Sequence, residues 1–289
     1  MRLNNFGLPH QKLSVMLSEY KVIALYCIVD DMLKGMHHYE DPRVRVSDSE
    51  VITTAFVAVL YFGGHLDNAR HFMQMQAYVP RMLDKSQFCR RLHRLADFLL
   101  AMFYTLGKQL KDLAGAATYR LDSFPVAVCD NIRIARCRIL QGEVFRGKHV
   151  AMRRFFYGVR VQVLTLNGIP VEFCLVPGSE HDSRSLQKLP FDIAPQSTIY
   201  MDAGYTDYGS EDDLLQAEGI VAQVQRKAGS RRKDEPCVRF LKEWMRKAIE
   251  TDFSLIKAKM LRCIHAVTKE GFLLKVALFV IAFAFYQIA

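Results

Sequence analysis

Apolar positions follow a helical spacing through the first part of the chain and then change period. Residues 11–33 hold a mostly apolar helical pattern. Ser47-Asp48-Ser49-Glu50 precedes the apolar run Val51 to Phe62. A serine followed three residues later by glutamate predicts a capping box at a helix start, and Gly63-Gly64 ends the run. DKSQFCRRLHRLADFLLAMFYT (residues 84–105) predicts a third helix. The small residues of DLAGAAT (112–118) then mark a boundary, which divides the chain into a helical domain of residues 1–115 and a second domain of residues 116–289.

Beyond the boundary the pattern predicts strands. Residues 119–128 form the first. Residues 155–166, FFYGVRVQVLTL, alternate, with Tyr157, Val159, Val161 and Val163 on one face. Asn167-Gly168 predicts a two-residue hairpin turn, and the returning strand runs from Ile169 to Val176 before Pro177-Gly178. A short helix follows, with Ser179 or Asp182 near its cap. A strand over residues 197–205 comes next, then a helix over 207–219 ending at Gly219, and a strand over 220–227. After the basic loop GSRRKDEP (229–236), residues 238–262 form a long amphipathic helix and an apolar helix closes the chain. There is no internal repeat and no low-complexity tract. Three strands able to form a meander, followed by alternating helices and strands, predict an α/β fold. Its core is a mixed sheet flanked by helices, the arrangement of a ribonuclease H-like domain, preceded by an N-terminal all-helical domain.

Composition permits such a core: 51% of the 289 residues are hydrophobic, with 19 Phe and 12 Tyr. That excludes a compositionally disordered chain. The formal net charge of +9 favours a polyanionic partner, nucleic acid or an anionic membrane. Two basic stretches stand out. Ile132 to Arg160 holds eight basic residues and one acid, Glu143; Arg226 to Arg262 holds twelve against five. Each alone reads equally as solvated surface, but two flanking one candidate site suit a phosphate backbone. In the helical domain Arg90, Arg91, His93 and Arg94 cluster in the same way, as a face for DNA or for solvent. The seven cysteines are odd in number and contain no C-x-x-C. They read as reduced thiols of a cytoplasmic protein, and Cys89 with His93 lacks the second pair a zinc site needs. At the C-terminus, Val276 to Tyr286 is an unbroken apolar run that Lys275 precedes. It is short of the roughly 20 apolar residues of a membrane span and reads as a buried helix.

Three acids stand out against this frame. Asp122 lies inside an apolar strand, where an unpartnered carboxylate is costly. Asp202 ends a later strand, at the position where open sheets place ligand sites. Glu250 lies on the long helix. At 100° per residue, Arg246 and Lys257 fall within about 40° of Glu250 on the same face, whereas Asp252 points to nearly the opposite side. Converging carboxylates could hold hard divalent cations, two of which activate an attacking oxygen and stabilise a leaving one in phosphodiester hydrolysis. Each acid also has an ordinary explanation. Asp122 could cap a turn before Pro125, Asp202 could belong to a strand-end turn with Gly204, and Glu250 could pair with Arg246 at i,i+4. Asp130, Asp182, Asp207 and Asp252 are rival carboxylates.

LDSFPVAVCDN, YMDAGYTD and RKAIETDFSLIKAK resemble the three catalytic blocks of bacterial insertion-sequence transposases of the DDE superfamily. Within these the chain looks most like the 982 family of insertion sequences. VSDSEVIT, DKSQFCRRLHRL, RRFFYGVRVQVL, PGSEHDSR and HAVTKEGFLLKV extend the resemblance from about residue 45 to the end. It implies that Asp122, Asp202 and Glu250 are catalytic and bind two Mg²⁺ ions, with Mn²⁺ substituting. It implies an N-terminal DNA-binding domain before a ribonuclease H-like one. The family signature Tyr-x2-Arg-x3-Glu-x6-Lys maps onto Arg246, Glu250 and Lys257, but Glu243 stands at the Tyr position, with Trp244 beside it. The expected partners are double-stranded DNA, as element terminal repeats and target, and a second copy of the chain on that DNA; no membrane is expected. Arg246, Lys257, Arg231, Arg232, Lys233, Arg90, Arg91 and Arg94 are the expected phosphate contacts, and a nucleoid-associated bacterial protein the expected setting. Two other readings stay open: a nuclease of the same fold that cuts without joining, and a catalytically silent DNA-binding protein.

Overall fold

The computed structural model describes residues 19–130, 136–149, 153–259, 264 and 266–289. Part of the basic stretch after Ile132, the beginning of the 11–33 pattern, the Asp130 side chain, Arg262 and Cys263 lie outside the described residues. Two compact units divide between Leu95 and Ala96, earlier than the 115/116 boundary that composition suggests, and residues 285–289 group with the first.

In the first unit, helices α1 (Glu19–Gly35), α2 (Asp48–Tyr61), α3 (Leu66–Met75) and α4 (Lys85–Arg94) follow in order. The capping box at the start of α2 is formed. Ser47 N–H donates to Glu50 Oε2 at 2.6 Å and Glu50 N–H to Ser47 Oγ at 3.1 Å. Gly63 and Gly64, both at positive φ, end the segment. Replacing Ser47 by Ala leaves one of these N–H groups without its acceptor, so denaturant unfolding should show a loss of about 1 kcal/mol.

The single helix expected over 84–105 is two, α4 and α5 (Ala96–Ala114), broken at Leu95. No glycine or proline stands there. Leu95, 3% exposed, is the C-cap of α4, and its N–H still donates to Arg91 O.

The second unit is built on a mixed six-stranded sheet. Its strands are β1 (Thr118–Asp130), β2 (Arg146–His149), β3 (Arg154–Leu166), β4 (Ile169–Pro177), β5 (Thr198–Met201) and β6 (Val221–Val224). The order is β2-β3-β1-β5-β6, with β4 also pairing with β3. β1, β3 and β4 are antiparallel neighbours, joined between β3 and β4 by the Asn167-Gly168 turn, where both residues have positive φ. β5 and β6 then run parallel to β1 and to each other. The helices are α6 (Asp182–Ser185), α7 (Tyr208–Glu218), α8 (Pro236–Lys259) and α9 (Lys269–Ile288). The expected strand over 197–205 is shorter. It stops at Met201, because Asp202 caps a 3-10 turn over Ala203–Tyr205. β2, four residues long, has no counterpart in the apolar pattern: Arg146, Gly147, Lys148 and His149 pair with β3 in antiparallel register at an edge.

β1 is covered on both faces. Tyr119 and Leu121 join Leu164, Val171, Ile199 and Met201 in the main core. Phe124 meets Phe253 of α8 edge-to-face at 6.1 Å. α5 approaches β4 through Gly107: a Cβ there would lie 2.3 Å from Val171 O. α9 is long and apolar enough to cross a membrane by length and composition. Yet Phe272, Val276 and every residue from Leu278 to Phe285 are buried, as in a core helix.

Candidate active site

The parallel register of β1 with β5 decides where two of the acids lie. Leu121 is opposite Met201, so Asp122 and Asp202, one residue further on, are level across neighbouring strands. Such strands run about 4.8 Å apart. With Leu121 and Met201 in the core, strand alternation sends Asp122 and Asp202 to the other face, the one α8 covers. β5 ends there while β1 continues, which opens a cleft at the carboxyl end of β5. The cleft is lined by Asp122, Asp202 and Glu250, with Gln223, Lys242 and Arg246 among the other lining residues. Its volume of about 60 Å³ suits ions and waters rather than a drug-sized ligand.

The three acids are in different states. Asp122 is half-buried and accepts the Ser123 N–H at 2.7 Å. Burial pushes its carboxyl up to about 6, with neighbouring Asp202 and Asp182 adding to the rise; the Ser123 N–H and the Lys257 ammonium act against it. Asp202 is exposed and accepts the Ala203 N–H at 2.5 Å. Glu250 is 64% exposed and pairs with Arg246, 51% exposed, at 3.0 Å. A pair so open contributes little stability, so Glu250 is readily released. Lys257 lies 5.6 Å from the Phe124 ring centroid, on the Asp122 side of α8.

The raised Asp122 group links stability to pH. A folded value of about 6 against an ordinary value of 3.8 means that the fold favours the protonated acid. The stability this contributes is full below about pH 4 and is lost as pH rises through about 6. In EDTA, wild type should lose melting temperature across that window, and Asp122→Asn, which stays neutral, should lack this step. An identical pH profile for the two proteins would refute the assignment.

The rival carboxylates have other occupations. Asp207 caps α7, accepting from Gly209 N–H and Ser210 Oγ. Asp252 points away from the cleft, as helix geometry predicts, into a buried 2.6 Å ion pair with Arg120. Asp182 accepts from Ser123 Oγ at 2.7 Å and Gln162 Nε2 at 3.1 Å, with Arg160 at 3.4 Å.

The expected phosphate contacts divide the same way. Arg231, Arg232 and Lys233 are exposed. Arg232 already forms a two-pronged pair with Asp212 at 2.7 and 2.6 Å and lies 4.8 Å from the Tyr208 ring centroid. Tyr208 OH also accepts the Arg231 N–H and contacts Ser230 Oγ, tying the basic loop to α7. In the first unit Arg90 and Arg94 are exposed on α4. Arg91 is instead spent inside the fold: its guanidinium bonds Asp48 Oδ1 at 2.6 Å, Val46 O at 2.7 Å and Glu40.

Sequence reasoning missed Lys242. It lines the cleft while its ammonium donates to Val224 O at 2.9 Å and Asp234 Oδ1 at 2.6 Å. Its spacing of four from Arg246 and eight from Glu250 was the available clue. Ile249, next to Glu250 on α8, also lines the cleft.

Oxygen donors of this kind suit a hard divalent cation. Among the described residues no group of three His, Cys, Asp or Glu side chains forms a ready-made metal cluster; Glu250 is turned onto Arg246. The donor chemistry fits, and a bound cation would have to draw Glu250 in.

No curated protein matches the chain. A cryo-EM structure of a piggyBac transposase synaptic complex with hairpin DNA is similar at a TM-score of 0.43 and 10% sequence identity, covering 98% of this chain and 76% of that one. The family model described as Transposase DDE domain matches residues 115–266. That span contains all three cleft acids and just over half of the 289 residues, and the chain therefore belongs to the Transposase DDE domain family.

Proposed function

We propose that the protein is a DNA transposase of the insertion-sequence type, resembling the 982 family, which cuts element ends and joins the freed 3′-hydroxyl to target DNA. The observation that carries this reading is the level placement of Asp122 and Asp202 on parallel strands, with Glu250 on the helix across the same cleft. In this reading the second unit is a ribonuclease H-like catalytic domain and the helical N-terminal part binds DNA. Asp122, Asp202 and Glu250 hold two Mg²⁺ ions, replaceable by Mn²⁺. Bound there, such cations activate the attacking oxygen and stabilise the leaving one.

The chain's own residues do the rest. Asp122, oriented by the Ser123 N–H, would offer its carboxylate to a cation. Arg246 leaves Glu250 and turns to phosphate; Lys257, Arg231, Arg232, Lys233, Arg90 and Arg94 add cationic contacts. Of these, Arg232 must first leave Asp212. A homodimer on paired ends and a cytoplasmic, nucleoid-associated setting complete the proposal.

The test is a strand-transfer assay with pre-cut element ends, the full chain and Mg²⁺. Joined product is the expected result. Cleavage of uncut ends without any joined product would instead support a nuclease.

A further inference from the structure

Behind the cleft, on the opposite face of the sheet, one carboxylate links the segments that carry two of the acids. Ser123 and Gln162 are directly opposite in the antiparallel β1–β3 register, so their side chains emerge on one face. Both donate to Asp182 Oδ1, at 2.7 and 3.1 Å, and Arg160 approaches the same oxygen at 3.4 Å. Ser123 adjoins Asp122 and gives it the backbone N–H at 2.7 Å. Gln162, fully buried, accepts the hydroxyl of Tyr205 through Oε1. Tyr205 closes the 3-10 turn that Asp202 caps. At Gly204, in the same turn, a Cβ would lie 3.2 Å from Asp182 Oδ2, so the turn packs closely on the carboxylate. A path of three hydrogen bonds thus runs from the Asp122 strand through Asp182 and Gln162 to the Asp202 turn.

We propose that Asp182 is a positioning residue for the cation site: it fixes the separation of Asp122 and Asp202 without itself touching the ion. Its first oxygen is taken by three donors, and the alternation of β1 places it on the face away from the cleft. The inference rests on reading the cleft as a metal site. A buried polar group that positions carboxylates is felt as metal affinity, and loss of such a partner typically costs 10- to 100-fold.

The experiment is Mn²⁺ binding to the full chain without DNA, followed by calorimetry and by electron paramagnetic resonance, together with the melting temperature in EDTA. Asp182→Ala, Ser123→Ala and Tyr205→Phe are compared with wild type and with Asp122→Asn. Wild type should bind and Asp122→Asn should not. The three network variants should bind about 10- to 100-fold more weakly, Tyr205→Phe while melting within a few degrees of wild type. A role confined to stability would move melting and leave affinity alone, and network variants that bind Mn²⁺ like wild type overturn the proposal. Should Asp182→Ala fail to fold, Ser123→Ala and Tyr205→Phe decide it. Wild type that binds no Mn²⁺ overturns the metal reading itself, and this inference with it.

Discussion

Asp122→Asn, Asp202→Asn and Glu250→Gln, made singly, should each lower Mg²⁺-dependent cleavage of element-end DNA by on the order of 10³-fold or more. A cation at a phosphoryl centre supplies several kcal/mol of charge stabilisation, and each 1.36 kcal/mol is a tenfold change in rate. The changes are nearly isosteric, so an effect of this size comes from lost charge rather than lost packing. The three sites should differ in what accompanies the loss. Asp202 and Glu250 are exposed, so their variants should melt like wild type. Asp122→Asn removes a carboxylate that the fold prefers protonated, so near pH 7.5 in EDTA it should melt higher. Because the residues act as a unit, a double variant should be little slower than a single one. Any single variant that keeps wild-type cleavage removes its residue from the site.

The second large effect is structural. Lys111 of α5 and Glu172 of β4 form an ion pair at 2.6 Å with side chains only 5% and 0% exposed. Glu172 also accepts the N–H groups of Phe191 and Asp192, each at 3.1 Å. The pair exists because Gly107, one turn before Lys111, lets α5 come against Val171 O. Glu172→Ala takes the 2.6 Å partner from the ammonium, which keeps Asp192 at 3.8 Å, and removes the acceptor of two amides, so urea denaturation should show a loss of about 3–5 kcal/mol. Lys111→Met combined with Glu172→Gln, which keeps an acceptor for the amides, should recover much of it. The double-mutant cycle measures the coupling. Equal losses in the single and double variants would show that the pair is not the cause.

The parts of this architecture that could be read from residue order are those specified locally. The capping box at Ser47, the Asn167-Gly168 turn and the stop at Gly219 each need only their own neighbours. Asp122 stood out because it breaks an apolar strand, and Glu250 because a helix face can be computed. The Asp182 network was not legible, since its members come from β1, β3, α6 and the turn after β5. Lys242 looked like one more cation of a basic helix until Asp234 and Val224 O were seen to hold it. Arg91 shared its pattern with Arg90 and Arg94, and only the approach of Glu40, Asp48 and Val46 separates it from them.

The pairing of Leu121 with Met201 also sets how this gene can change length. The β3–β4 turn at residues 167–168 lies outside that pairing, so codons gained or lost there leave Asp122 and Asp202 abreast. A single codon added within Thr198–Met201 cannot be absorbed in that way: it turns every following side chain to the other face of the sheet, with Asp202 among them. An in-frame insertion in that turn and one in the four residues of β5 thus differ in what they do to the acids. The register of four interior residues, rather than the length of the connections, keeps the two acids abreast.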